Sequence, residues 1–266
     1  ANTQHLYYRE DVLKELGIPV PKTYEEVVAA SEKIRASGKM QHPYAAAYKA
    51  GWNLAEEFVN MFIGHGGEFF KAGTAEPNIN NAKGVATLNM LKKLASLSNP
   101  DYLTHDSEAI KVEWESGKVA LMTLWASRSG TLLDDEGDAK ITAATKLVAP
   151  ATVGGGNIPA ATLWWDGFTL AKNRSDADAE ASFRAMAHAA SSKEMVAKAA
   201  DQAVWLVEGF VPGPKSVGVI EAVKMGAKPY PMLPQMGLMH GALGSEIVEF
   251  LQGNESAEQA LKDVEA

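Results

Sequence analysis

The 266-residue sequence contains no cysteine. That excludes thiol catalysis, thiolate metal sites and disulfides, and it suits an oxidising compartment without requiring one. No apolar run approaches the roughly 18 residues that a membrane-spanning helix needs. A basic stripe is also missing. Net charge is −8 and the Lys and Arg residues are scattered, which argues against a nucleic-acid partner, because a phosphate backbone needs clustered cations. The six histidines, His5, His42, His65, His105, His188 and His240, never pair at helical or strand spacing, so no metal site is expected. No cofactor motif is present: "VGGGN" (Val153 to Asn157) runs into Ile158 and Pro159 and breaks the G-x-G-x-x-G pattern, and no P-loop occurs. A G-x-S-x-G nucleophile elbow is absent too. Ala1 to Glu10 lacks the basic start and apolar run of a signal peptide, so the sequence reads as processed or trimmed.

What is present is a large apolar fraction, 46%, enough for a sizeable core in one or two lobes. Helices and short buried strands alternate along the chain, which indicates an α/β class. A strand and helix are expected in "LYYREDVLKEL", and a second helix opens at Thr23, where Thr23 and Glu26 form a capping box. "NNAKGVATLNMLKKLASL" is amphipathic, with Val85, Leu88, Leu91, Leu94 and Ala95 on one face. A helix from Ser107 precedes an almost wholly apolar strand, Val119 to Trp125, of the kind covered on both faces. Ser175 to Ala190 reads as helix, with further capping boxes at Ser191/Glu194 and Ser256/Gln259.

The stretch "ATLWWDGFTLAKNRSD", residues 161 to 176, carries the chemistry. Neighbours on a strand point to opposite faces, so Trp164 and Trp165 cannot share one core. Trp164 is the expected core residue, and Trp165 with Asp166 the pair lining an opening. Both indoles filling the core is the plain alternative.

The order of segments resembles family 1 extracellular solute-binding proteins of ABC importers. The resemblance rests on "LYYREDVLKELGIPVPKTYEEVVAASEKI", "FVNMFIGHGGEFF", "PNINNAKGVATLNMLKKLASL", "EAIKVEWESGKVALMTLW", "DGFTLAKNRSDADAEASFRAMAHAASSKEM", "GFVPGPKSV" and "PYPMLPQM" in the family order. It implies a periplasmic-binding-protein-like fold of type II: two α/β lobes joined by hinge strands, with a sugar or polyol held between them. The ligand would be delivered to an ABC permease in the inner membrane, from a periplasmic or membrane-anchored extracellular position. In the family a first α/β stretch of the N-terminal lobe precedes "LYYRED", which here begins at residue 6. On the order of a hundred residues thus have no counterpart. Residues 1–164 and 216–266 would form the C-terminal lobe and 167–213 part of the N-terminal lobe, with hinge crossings near 165–166 and 212–216. Strand edges and apolar helix faces of the partial lobe would be left bare. The expected partner is then a missing N-lobe chain or a homo-oligomer.

A sugar presents an apolar C–H face that packs on an indole, and hydroxyls that need directed hydrogen bonds, strongest from charged groups. Besides Trp165, Asp166 and Trp164, the resemblance directs attention to Trp125 at its strand end and to Arg128 just beyond. It also places Trp52, Asn53 and Glu56 ahead of the Gly-Gly helix end, and His240 where some relatives carry an aromatic ligand residue. For each the rival is ordinary: core packing for the tryptophans, solvation for Arg128, a surface or helix-cap role for His240. No catalytic residue is expected. The competing readings are a glycan-active enzyme and a structural fragment without ligand binding.

Overall fold

The computed structural model describes residues 1–134 and 137–266. In chain order, β1 (Gln4–Arg9) leads into α1 (Glu10–Glu15), followed by α2 (Tyr24–Ala36), β2 (Tyr44–Ala45) and α3 (Trp52–Gly64). Next come α4 (Ala82–Ala95), α5 (Ser107–Glu115), β3 (Leu121–Trp125), α6 (Ser129–Leu132), α7 (Ala139–Ala144), β4 (Thr145–Leu147) and β5 (Thr162–Leu163). The last third holds α8 (Asp176–Ser191), α9 (Lys193–Lys198), α10 (Val217–Lys224), β6 (Lys228–Pro229), α11 (Met236–Gln252) and α12 (Ala257–Glu265). Among the described residues no helix is long and apolar enough to cross a membrane.

The helix starts follow local chemistry. Thr23 accepts from the Glu26 amide while the Glu26 carboxylate accepts from the Thr23 amide, the full reciprocal box. Asn81, Asp106 and Ser175 cap α4, α5 and α8. Two expected boxes differ. Ser191 lies inside α8 and donates to the Ala187 carbonyl, and Ser192, not Ser191, precedes α9, without a side-chain cap. α8 runs one residue past Ala190, so Ser191 ends that helix and does not cap the next. Ser256 does accept from the Gln259 amide, but the Gln259 side chain turns to Asp263 instead of reaching back.

The main sheet has the order β2-β3-β1-β4. β3 runs antiparallel to β1, with Tyr7 opposite Met122, and parallel to β2, while β4 borders β1 antiparallel. β3 begins at Leu121, two residues later than expected; Val119 and Ala120 are buried ahead of it, and the Ala120 and Leu121 amides both donate to the Pro43 carbonyl. One face of this sheet meets the larger apolar core, built from α2, α3, α4, α11 and α12 around Phe58, Phe62, Leu88, Leu91, Leu243 and Ile247. The other face meets a smaller core of Tyr7, Trp114, Met122 and Leu124, where the Trp114 indole N–H donates to Thr145. β5 pairs in parallel with β6, and an antiparallel bridge from Trp164 to Asn2 ties the end of β5 to the sheet.

Residues 165–174 form no strand. Beyond them α8 has no buried residue, and the large apolar side chains Phe168, Phe183, Leu206 and Val211 stand exposed. An amphipathic helix gains most of its stability by burying its apolar stripe, and this stripe is uncovered.

Candidate functional site

Two periodicities meet at the site. On α3, Trp52, Glu56 and Asn60 recur every four residues and so share one face. On β5 and its extension, Thr162 and Trp164 are two residues apart and point to the same side. The two rows interlock. The Thr162 amide donates to Asn60 Oδ1 at 2.7 Å, and Thr162 Oγ1 lies 2.7 Å from Glu56 Oε1. The Trp164 indole N–H reaches Thr162 Oγ1 at 2.8 Å and Glu56 Oε1 at 3.2 Å. Polar groups thus fix the indole from behind and leave its face to the aromatic neighbours.

Those neighbours form a wall. Ring centroids lie 5.9 Å apart for Trp52 and Trp164, 6.1 Å for Trp125 and Trp164, and 6.2 Å for Trp52 and Trp125. Tyr230 lies against Trp164 at 4.4 Å, and His240 against Trp52 at 5.0 Å. Such separations are typical of favourable offset or edge contacts. Trp52 keeps 50% of its surface exposed, while Trp125, Trp164 and Tyr230 are half-buried.

The scaffold that brings His240 to Trp52 is a backbone contact. Gly51, at φ 97° ahead of α3, donates its amide to the Gly244 carbonyl at 2.9 Å. A Cβ on Gly244 would come within 2.5 Å of the Gly51 oxygen, so only glycine permits this approach. One turn before Gly244, His240 faces the start of α3. Its Nε2 lies 3.0 Å from the Trp52 carbonyl, which can only accept, so Nε2 carries the proton. Nδ1 then accepts from the Tyr230 hydroxyl at 2.9 Å. Burial lowers the affinity of the ring for a second proton, with the Trp52 carbonyl opposing, which agrees with a neutral imidazole.

Beneath the wall lies a buried polar layer. Glu56 is wholly buried; loss of solvent raises its carboxyl to about 7 against the hydrogen bonds from Thr162, Trp164 and Asn60. The adjacent Glu57 rises to about 8, by burial first and by repulsion from Glu56, while Gln4 opposes. The hydroxyls of Tyr24 and Tyr44 converge on Thr123 nearby.

The residues expected from sequence divide accordingly. Trp52, Trp125, Trp164 and His240 come together. Trp164, expected in the core, stands in the wall. Trp165, the favoured partner for a guest, points away: it is 54% exposed and makes no ring contact with the cluster, because the bridge to Asn2 sets a register that turns Trp164 inward. Asp166 is exposed and lines a separate cavity with Asn2, Ser127, Phe168 and Lys215. Glu56 lies behind the wall, not on it. Asn53 is half-exposed beside Trp52 at the start of α3. Arg128 sits three residues past Trp125 in an ion pair with Glu108. Tyr230 was missed; its segment offers no periodicity, since β6 is two residues long and includes a proline.

Residues 1–197 match the family model described as "Bacterial extracellular solute-binding protein". A probable ABC transporter-binding protein of Deinococcus radiodurans is 30% identical over 176 residues, 63% of this chain and 40% of that protein. The multiple sugar-binding protein of Streptococcus mutans is 43% identical over 54 residues, 20% of this chain and 12% of that protein. The chain therefore matches less than half the length of these relatives. Among solved structures, a chitin oligosaccharide binding protein superposes with TM-score 0.82 at 19% identity, covering 99% of this chain and 68% of that one. Maltose-bound MalE3 of T. maritima gives 0.81 at 19%, covering 99% and 69%. A solute-binding protein of Agrobacterium radiobacter K84 in complex with ribitol gives 0.79 at 18%, covering 99% and 68%. At these identities the likeness is one of fold, the α/β type II periplasmic-binding-protein fold. From the match over nearly three quarters of its length, this chain belongs to the family of bacterial extracellular solute-binding proteins.

Proposed function

We propose that this chain is the sugar- or polyol-holding part of an ABC importer's solute-binding component, working outside the cytoplasmic membrane and handing its guest to a permease. The supporting observation is the wall itself: three indoles and a phenol offer apolar faces for C–H groups, with polar atoms at their margins. Asn53 supplies an amide beside Trp52 for a hydroxyl. One relative, from Sinorhizobium fredii, is described as a probable amino-acid binder. An amino acid would need a free cation for its carboxylate, and Arg128 is engaged by Glu108. The match to a family of solute-binding proteins favours a transport role over a glycan-active enzyme.

Residues 1–164 and 216–266 are read as one lobe, and 167–213 as a piece of the other, with crossings near 165–166 and 212–216. The contrast between the buried core and the bare α8 supports this division. A second lobe would cover Phe168 and Phe183 and close over the guest, coupling binding to closure.

The experiment is a panel of maltose, ribitol, mannitol, chitin oligosaccharides and free amino acids, read by tryptophan fluorescence and calorimetry, with product analysis for turnover. It is run on the chain alone and with the remainder of the fold supplied. A fluorescence change with a sugar or polyol, without turnover, is expected. Response to amino acids alone, or guest hydrolysis, overturns the reading.

A further inference from the structure

Thr162 Oγ1 is contacted by three groups: Glu56 Oε1 at 2.7 Å, Asn60 Oδ1 at 2.8 Å and Trp164 Nε1 at 2.8 Å. A hydroxyl has one proton to give and two lone pairs to receive. The indole N–H fills one lone pair. The Asn60 oxygen is fixed by a second contact, because it accepts the Thr162 amide at 2.7 Å while Asn60 Nδ2 donates to Gln4. The single Thr162 proton therefore serves Asn60 or Glu56, not both. With Glu56 ionised, one of the two oxygen–oxygen contacts would be a pair of facing lone pairs at hydrogen-bond distance, in a fully buried place. A proton on Glu56 Oε1 removes the conflict. Glu56 then donates to Thr162, Thr162 donates to Asn60 Oδ1, and the indole N–H donates to the remaining lone pair of Thr162.

We propose that Glu56 is a positioning residue that works in its protonated form: its O–H anchors Thr162, Thr162 orients the Trp164 indole, and affinity for the guest falls when that proton leaves. The proposal rests on the reading of the wall as a sugar site and deepens it. The groups facing Glu56 favour the neutral form. Glu57 adjoins it on α3, Tyr230 interacts with it from beyond β6, and among the described residues no cationic side chain pairs with it. Burial places the carboxyl near neutrality, within reach of physiological change. Loss of the proton leaves charge on Oε1, which draws the indole N–H off Thr162 and turns a ring packed 4.4 Å from Tyr230.

The test follows the Trp164 indole N–H resonance, assigned with Trp164→Phe, from about pH 5.5 to about pH 8.5 in the guest-free chain. Maltose, ribitol and mannitol affinities are measured over the same range with the remainder of the fold supplied. A one-proton step near neutrality is expected in the native chain and in Glu57→Gln. It is absent in Glu56→Gln, whose amide N–H donates to Thr162 at every pH. Affinity should fall about tenfold per pH unit above the midpoint in the native chain and stay flat in Glu56→Gln. A native resonance indifferent to pH overturns the proposal without any variant, as does the same step in Glu56→Gln. A step that persists while no sugar or polyol binds supports Glu56 as the protonated anchor and overturns the sugar reading.

Discussion

The buried carboxyl pair makes the stability of this chain depend on pH in an unusual direction. Glu57 has no exposed surface to speak of and one carboxyl oxygen without a partner, and its proton is held to about pH 8 against an ordinary 4.5. Glu56 is held to about 7. In each case the folded chain binds the proton more tightly than the unfolded chain, so the stabilisation is complete below about pH 4.5. It is lost as pH rises through the folded values. His5, buried against Leu6 and lowered to about 4, acts oppositely: its contribution grows with pH up to about 6.5 and then stops. His65 and His240, also lowered, act in the same direction as His5 over the acid range. The window from about pH 6.5 to about 8 therefore isolates the carboxyls. Across it Glu56 titrates for the first half unit and Glu57 throughout, a loss on the order of 3 kcal/mol. Urea unfolding at half-unit pH steps measures it, with the Ala1 amine acetylated, because partial burial lowers that group and gives it an opposing slope. Glu57→Gln should remove most of the decline, leaving under about 1 kcal/mol from Glu56. Unfolding free energy that rises across this window in the native chain, or an undiminished decline in Glu57→Gln, would refute the argument from burial.

Other expectations concern the wall and its support. Trp164→Ala should weaken guest binding by about 1–3 kcal/mol, whereas Trp165→Ala should change it by less than about 0.5, measured by calorimetry; equal losses would mean that the outward-facing indole shares the contact. Tyr230→Phe removes the hydroxyl that donates to His240 and should cost about 1 kcal/mol in urea unfolding, with no change in the far-ultraviolet spectrum. Gly244→Ala forces a methyl against the Gly51 backbone and should destabilise the fold by roughly 1–3 kcal/mol; a neutral effect would show that α11 and α3 separate freely.

Much of the scaffold was legible because local chemistry decided it. The Thr23 box, the amphipathic face of α4 and the apolar strand before Trp125 need only neighbours in sequence. Alternation set Trp164 and Trp165 on opposite faces, with Trp164 the expected core residue, but did not fix the register. That depended on pairing with Asn2, far away along the chain, and a one-residue slip exchanges the faces. Glu56 was expected near a guest because the family resemblance places it ahead of the Gly-Gly helix end. Its neighbours on α3 are buried on every side, so the carboxyl has no solvent to face. The spacing Trp52–Glu56–Asn60 was a usable signal: a polar row continuous with an indole on one helix face. Tyr230 gave none, since its position follows from a two-residue strand joined to β5.

The Gly51–Gly244 contact has a bearing on how selectivity could be retuned. Where two helices meet main chain to main chain, their separation is set by backbone atoms, and only a side chain at the contact itself, as in Gly244→Ala, pushes them apart. The ring at 240, one turn away from that fulcrum and itself buried, is then held at a fixed place against Trp52. A planar group of similar size, as in His240→Phe, would remove the hydrogen bonds to Trp52 and Tyr230 while that frame stays put.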